Sequence, residues 1–345
     1  MHQPIVKNGT WRDSIPVFQY NLINPYRQLI FTLLTFAFYK VFHLCIMKFK
    51  AWIAAFRLRT LPLALSCVIT GSGIAWQKDS LNWSILGLAC LTTVFLQILS
   101  NLANDYGDGV KGTDNDSRLG PVRAIQSGII SKNEMRLGII ICALITLASG
   151  ISLLVLALNV NWIFYVMLAI GFLGIAAAIK YTIGKNAFGY KGLGDLFVFI
   201  FFGIVGVLGT SFLQAGSIEW IELLPAASIG LLCTGVLNLN NMRDHKNDRD
   251  SGKHTLVVAI GYRSAKVYHG ILTCVPVILL GLYILSTENN YNWTFFAAPL
   301  FIVTAALIRI SRVTEAQRLD RELKFLALTT FFTSALFILA VAIQW

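Results

Sequence analysis

The stretch Trp83-Ser-Ile-Leu-Gly-Leu-Ala-Cys-Leu-Thr-Thr-Val-Phe-Leu-Gln-Ile-Leu-Ser-Asn-Leu-Ala103, running on into Asn104-Asp105-Tyr106-Gly107-Asp108, decides the fold. Its first part has no charged side chain over 21 residues, the length of helix that crosses a hydrocarbon layer of roughly 30 Å. Backbone groups in lipid must be satisfied internally, so such a segment is a helix and not an open strand. About nine stretches of this kind follow residue 50, at approximately 52–76, 83–103, 137–158, 161–180, 193–214, 220–240, 267–286, 293–310 and 325–343. Composition agrees: of 345 residues 56% are hydrophobic and only 13% charged, with mean hydropathy +0.67, whereas soluble domains are about a quarter charged. That excludes an ordinary soluble globule. No Pro/Gly/Ser-rich linker or low-complexity tract divides the chain, so the expected fold is an all-α polytopic membrane protein in one domain.

The net charge of +11 would suggest a nucleic-acid partner in a soluble protein. Here every basic residue after position 46 except Lys78 falls in the connections on one side of the spans, within 48–59, 111–136, 180–191, 243–266 and 309–324. By the positive-inside rule that side faces the cytoplasm, and nine spans leave the C-terminus outside. The basic excess is topological, and no nucleic-acid partner is implied.

Residues 1–46 fit this scheme poorly. A polar start precedes an apolar run from Leu29 to Met47 that Lys40 and His43 interrupt, without the short apolar core and small-residue cleavage site of a signal peptide. Met47, followed by Lys48-Phe-Lys-Ala-Trp-Ile, resembles a natural start. The expectation is an N-terminal extension over 1–46 outside the functional fold and a transmembrane domain over 47–345. The six cysteines all lie in apolar stretches with no CxxC or Cys/His spacing, which reads as small hydrophobes and not as disulfides or zinc ligands.

Chemistry is concentrated where carboxylates end apolar helices, since such charges need a compensating reason. If the helix over 83–103 continues, Asn101 with Asp105, Asn104 with Asp108, and Asp105 with Asp108 share a face. The sixth span ends in the same way, with Asn240, Asp244 and Asp248 four apart along one stripe. The two segments form a weak repeat, Asn104-x3-Asp108-x3-Gly112 against Asp244-x3-Asp248-x3-Gly252. Two such oxygen clusters facing each other across a bundle suit Mg²⁺, which binds through a few carboxylates plus waters and substrate phosphates. Lys111, Arg118, Arg123, Arg243, Lys246, Arg249 and Lys253 interleave with them, so the favoured ligand is a metal-bound polyanion such as a diphosphate. Arg243 and Asp244, adjacent on one helix, are not expected to pair with each other. His245 and His254 are expected as exposed loop residues.

The motifs Asn104-Asp105-x-x-Asp108 and Asn241-x-Arg243-Asp244-x-x-x-Asp248-x-x-x-Gly252-Lys253 resemble the two aspartate-rich motifs of the UbiA superfamily of intramembrane aromatic prenyltransferases. Within it, the 1,4-dihydroxy-2-naphthoate polyprenyltransferases of the menaquinone pathway are most similar. That likeness rests on Phe56-Arg-Leu-Arg-Thr-Leu-Pro62, Asn101-Leu-Ala-Asn-Asp-Tyr-Gly-Asp108 and Arg118-Leu-Gly-Pro-Val-Arg-Ala-Ile-Gln-Ser-Gly128. It rests further on Gly189-Tyr-Lys-Gly-Leu-Gly-Asp-Leu-Phe-Val-Phe199 and on the run from Asn240 to Leu256, and covers about 47–345. The chain departs from the superfamily pattern at Gly112, where a third aspartate is common, and Asp114 is a candidate substitute.

The resemblance implies a nine-helix bundle with a central cavity, acidic motifs near its cytoplasmic mouth, a lateral opening to the bilayer, and a cap formed by about 117–136. It implies Mg²⁺ held through Asn101, Asn104, Asp105, Asp108, Asp244 and Asp248, with Asn240 in support. It implies contact of a polyprenyl diphosphate with Arg118, Arg123 and Lys253, joined by Arg57 and Arg59, while Lys111, Lys246 and Arg249 stay solvated. Asp195, Lys180 and Tyr181 are the candidates for engaging 1,4-dihydroxy-2-naphthoate, although Asp195 at a helix start also suits an N-cap. An acceptor such as 4-hydroxybenzoate is the near alternative. A cation transporter is the remote one, and it would favour carboxylates at the membrane midplane.

Overall fold

The computed structural model describes residues 25–115, 117–287, 307, 309, 310, 313 and 316–342. Its contacts divide the chain into two units, Met1–Phe49 and Lys50–Trp345. In the first, the described residues belong to helix α1 (Pro25–Phe56), whose large apolar side chains between Phe31 and Phe49 are exposed.

The larger unit begins with the last turns of α1 and continues through α2 (Leu61–Gln77), α3 (Trp83–Lys111), α4 (Lys132–Ala157), α5 (Trp162–Lys180), α6 (Gly194–Ala215), α7 (Leu223–Asp250), α8 (Leu256–Ser286) and α9 (Leu319–Ala342). Among the described residues there is no strand, and eight helical segments are long and apolar enough to cross a membrane. They match eight of the nine expected spans; the remaining one, 293–310, lies almost wholly outside the described residues.

Local chemistry sets the helix ends. Asn82 and Asn161 cap α3 and α5 by accepting backbone N–H bonds through their side-chain oxygens. Ser131 and Glu134 form a reciprocal capping box at α4, and Thr255 caps α8. The expected span 52–76 is in fact broken: α1 ends, Arg57 adopts a left-handed conformation (φ 49°), Leu58–Thr60 form a 3₁₀ turn, and α2 restarts with Pro62 in its first turn. Proline is tolerated there because its missing N–H would have no helical partner anyway.

α7 packs against α6, α8 and α9; α9 packs on α2; α3 packs on α4, with α5 against both. One apolar cluster centres on α2, α6, α7 and α9, around Val207, Leu239, Met242 and Phe337. A second lies between the end of α1, α3 and α4, around Leu99, Leu102 and Met135. The middle of α6, Phe199–Leu208, is π-helical, and there Gly203 lies against Gly230 of α7. A Cβ on Gly203 would come within 2.6 Å of the Ala226 carbonyl, so only glycine admits this backbone approach.

Candidate active site

α3 and α7 both outrun their apolar stretches and carry the two aspartate motifs on the overrun. They stop in the same way. Gly112 and Gly252 both take left-handed φ values, 75° and 73°. The next residue then donates its N–H back to the carbonyl of the second aspartate, Thr113 to Asp108 (3.0 Å) and Lys253 to Asp248 (2.7 Å). The sequence repeat is therefore a repeated helix stop, and an aspartate at position 112 would incur about 1 kcal/mol of left-handed strain.

The two motifs meet. Asn247 Nδ2 donates to the Thr113 carbonyl (2.9 Å), and Ser117 Oγ donates to Asn247 Oδ1 (3.0 Å). Lys253 Nζ reaches Asp108 Oδ2 (3.3 Å), while the Tyr190 hydroxyl donates to Asp108 Oδ1 (2.7 Å) and lies 2.7 Å from Thr113 Oγ1. Burial acts to lower Lys253, but the Asp108 and Asp248 carboxylates overcome it and hold its ammonium above the usual lysine range.

Alternating ion pairs connect the rest. Arg57 pairs with Asp105, which also takes Arg123 Nη1 (3.2 Å). Arg123 Nε lies 3.7 Å from Asp114 Oδ1, and Arg118 Nε 3.2 Å from the same oxygen. Arg118 Nη2 then reaches Asp244 Oδ2 (3.4 Å). Burial, with the Arg57 guanidinium beside it, brings Arg123 down to about 9, still protonated at neutral pH. Burial raises Asp114 above the usual carboxylate range in spite of Arg123.

This charged layer closes one end of a cavity of about 420 Å³. Arg57, Arg59, Asn101, Asn104, Asp108, Arg123, Tyr181, Asn240 and Lys253 line it, and Leu63, Leu96, Leu147, Phe172, Phe197 and Phe201 contribute apolar wall. Asp105, Asp244, Asp248, Arg118 and Asp195 are buried off its wall. Asn101 donates to the Phe56 carbonyl (3.0 Å) and Thr60 Oγ1 (3.1 Å), tying α3 to the break before α2.

Several expectations change. Arg243 does pair with its neighbour Asp244, through Nε to Oδ1 (2.8 Å) and Nη2 to Oδ2 (2.6 Å); the long side chain folds back along the helix because it is wholly buried and needs a counter-charge. His245 is not in a loop. It sits in α7, half-buried, with Nδ1 2.9 Å from the Met242 carbonyl and its ring against Tyr262. Lys111 is exposed but stacks over the Tyr190 ring, 3.7 Å from its centroid, whereas Lys246 and Arg249 are exposed as expected. Asp195 makes no helix-capping bond; it is buried, its Oδ1 has no partner, and the Tyr268 hydroxyl lies against the carboxylate. Burial, with Asp195 nearby, raises the Tyr181 phenol well above its usual range.

Sequence reasoning missed two residues. Tyr190 lies inside a quoted stretch, but nothing in its spacing signals Asp108. Asp320, at the start of α9, accepts from Arg243 Nη1 (2.7 Å) and Arg59 Nη1 (3.1 Å); a lone aspartate before an apolar run reads as an ordinary helix start.

The donor set is all oxygen, carboxylate and amide, as Mg²⁺ prefers. The Asn104 amide oxygen is buried with no hydrogen-bond partner. Among the described residues no three His, Cys, Asp or Glu side chains converge on one point, because most of the carboxylates are turned to a cation. That arrangement fits an ion shared with a bound diphosphate better than a closed protein cage.

Residues 64–337 match the UbiA prenyltransferase family. The 1,4-dihydroxy-2-naphthoate octaprenyltransferase of Escherichia coli (strain K12) is 40% identical over 305 residues, 87% of this chain and 98% of that one. The enzyme of the same name from Haemophilus influenzae is 40% identical over 77% of this chain and 87% of its own. Among solved structures, a UbiA homolog from Archaeoglobus fulgidus bound to DMAPP and Mg²⁺ superposes with TM-score 0.56 at 16% identity, covering 83% of this chain and 99% of that one. With the two aspartate motifs brought together at the mouth of a membrane cavity, the chain belongs to the UbiA prenyltransferase family.

Proposed function

We propose that this protein transfers a polyprenyl group from an all-trans-polyprenyl diphosphate to 1,4-dihydroxy-2-naphthoate, releasing diphosphate and CO2 and giving demethylmenaquinol for menaquinone biosynthesis. The observation that carries the reading is the layer of carboxylates and guanidinium groups closing an apolar cavity of about 420 Å³, in a chain 40% identical to enzymes of that name. In the net reaction a ring carbon bonds to the allylic carbon, the allylic C–O bond breaks with its electrons leaving on the diphosphate, and the ring's bond to the carboxylate breaks to release CO2.

Asn101, Asn104, Asp105, Asp108, Asp244 and Asp248 would hold Mg²⁺ and its water shell, with Asn240 in support. Bound there, the ion supplies Lewis-acid stabilisation of the leaving diphosphate. Arg57, Arg59, Arg123 and Lys253, already on the cavity wall, bind and orient the diphosphate, and Arg118 braces them through Asp114. Preorganised cations aimed at developing charge are an effective way to lower such a barrier. The apolar wall excludes water from the allylic centre. Tyr181, on the cavity wall, orients the acceptor through a phenol that stays protonated and donates, and Asp195, buried behind the wall, supports it.

In this reading the protein is a multi-pass protein of the cell membrane. Its motifs face the cytoplasm and its C-terminus lies outside, because the basic connections cluster on the motif side. The prenyl chain enters from the bilayer, and residues 1–46 lie outside the catalytic domain. The test is a membrane assay with Mg²⁺, a polyprenyl diphosphate and either 1,4-dihydroxy-2-naphthoate or 4-hydroxybenzoate, with product and CO2 followed by mass spectrometry. Mg²⁺-dependent product and CO2 from the naphthoate are expected. Product from 4-hydroxybenzoate alone overturns the acceptor, and product from neither overturns the activity.

A further inference from the structure

We infer that Asp320 is a positioning residue for the metal-binding carboxylate Asp244: by sharing Arg243, it keeps the Asp244 charge available to a divalent cation. The inference rests on the proposed function, since it concerns the same site.

Arg243 is only 2% exposed, and a guanidinium so buried must be neutralised within the protein. It gives two hydrogen bonds to Asp244 (2.8 and 2.6 Å), one to Asn240 Oδ1 (2.8 Å) and one to Asp320 Oδ1 (2.7 Å). With Asp244 alone the pair would be neutral, and a neutralised carboxylate attracts a cation weakly. Asp320 takes part of the Arg243 charge, so less of the Asp244 charge is neutralised by that guanidinium and more of it is left for a metal.

The other Asp320 oxygen takes Arg59 Nη1 (3.1 Å), a cation on the cavity wall. That pair is a third exposed on each side and weak by itself, but it joins the turn before α2 to α7 through α9. A run of alternating charge results, from Arg59 through Asp320, Arg243, Asp244, Arg118, Asp114, Arg123 and Asp105 to Arg57. Five guanidinium groups face four carboxylates in it. Removing Asp320 would raise the excess positive charge beside the metal position and free Arg59, and both effects oppose cation binding.

The test measures Mn²⁺ binding to the full chain in detergent by loss of the free-Mn²⁺ EPR signal relative to a protein-free control, first alone and then with a polyprenyl diphosphate added. Asp320→Asn is expected to raise the dissociation constant about tenfold, as suits one charge lost near a divalent ion in a partly solvated site. Asp320→Glu should stay within about threefold of wild type. In case the amide variant fails to fold, Asp320→Cys is alkylated after purification. Iodoacetate restores a carboxylate and should restore affinity, whereas iodoacetamide should leave it weak; wild-type protein alkylated with each reagent controls for exposed Cys45 and Cys274, which iodoacetate also makes anionic. A purely structural role would shift thermal stability without this dependence on charge. Binding by Asp320→Asn within about twofold of wild type, or no difference between the alkylated forms, overturns the inference alone. Wild-type protein that takes up no Mn²⁺ either alone or with a polyprenyl diphosphate added overturns the metal reading and this inference with it.

Discussion

Replacing Tyr190 by Phe removes a single oxygen from the site, and the structure sets what that should cost. The hydroxyl donates to Asp108 Oδ1 and contacts Thr113 Oγ1, both at 2.7 Å. The ring, which Phe retains, lies beneath Lys111 (3.7 Å) and Lys253 (5.2 Å), so the cation–π contacts survive. Hydrogen bonds to a charged group are worth about 1.5–3 kcal/mol. Asp108 keeps its ion pair with Lys253 and Tyr190 is half-buried, which favours the lower end, about 1.5 kcal/mol, or roughly tenfold in rate. Because Asp108 is assigned to the metal and diphosphate, kcat/KM for the polyprenyl diphosphate should fall about tenfold while the KM for the acceptor hardly moves. The assay is steady-state turnover in detergent or nanodiscs, varying each substrate against a fixed excess of the other. An unchanged kcat/KM, or a loss confined to the acceptor, would refute the reasoning that Tyr190 holds Asp108 for the diphosphate.

Asp105→Asn and Asp244→Asn should each abolish turnover while the protein still elutes as folded, monodisperse material; near-normal rates at saturating Mg²⁺ would remove both from the metal site. Arg123→Ala should raise the KM for polyprenyl diphosphate at least about tenfold, as expected when a bound anion loses a buried cation partner, and leave the acceptor KM nearly unchanged. The reverse pattern would move Arg123 to the acceptor carboxylate. Asp195→Asn should lower kcat and raise the acceptor KM without altering diphosphate binding, measured by competition with inorganic pyrophosphate; wild-type acceptor kinetics would return Asp195 to a packing role. Deleting residues 2–46 should leave specific activity in membranes within about twofold, and loss of activity in a chain that still inserts would place that segment inside the working enzyme.

Helix spans, the side carrying the basic connections and both aspartate motifs were legible in the sequence, because hydropathy and i,i+4 spacing are local properties of the chain. The repeat between the motifs was also visible, although its meaning was not: only backbone geometry shows that Gly112 and Gly252 are matching helix stops. The break at Arg57 was missed although Arg57, Arg59 and Pro62 interrupt the apolar run there, because hydropathy averaged over 52–76 stays high across them. Partner choice lay beyond the sequence altogether. Asp320 is 77 residues from Arg243 and 261 from Arg59, and it reaches both because α9 packs against α2 and α7. Tyr190 finds Asp108 across 82 residues, and Arg243 turns back on Asp244 because burial denies it water. The sequence by itself determined which residue types gather at one end of the helices, since each helix carries its own apolar length and charged end. Only the tertiary structure decided which charge answers which, because buried ion pairs are fixed by the packing of helices distant in sequence and by the need to neutralise every charge withdrawn from water.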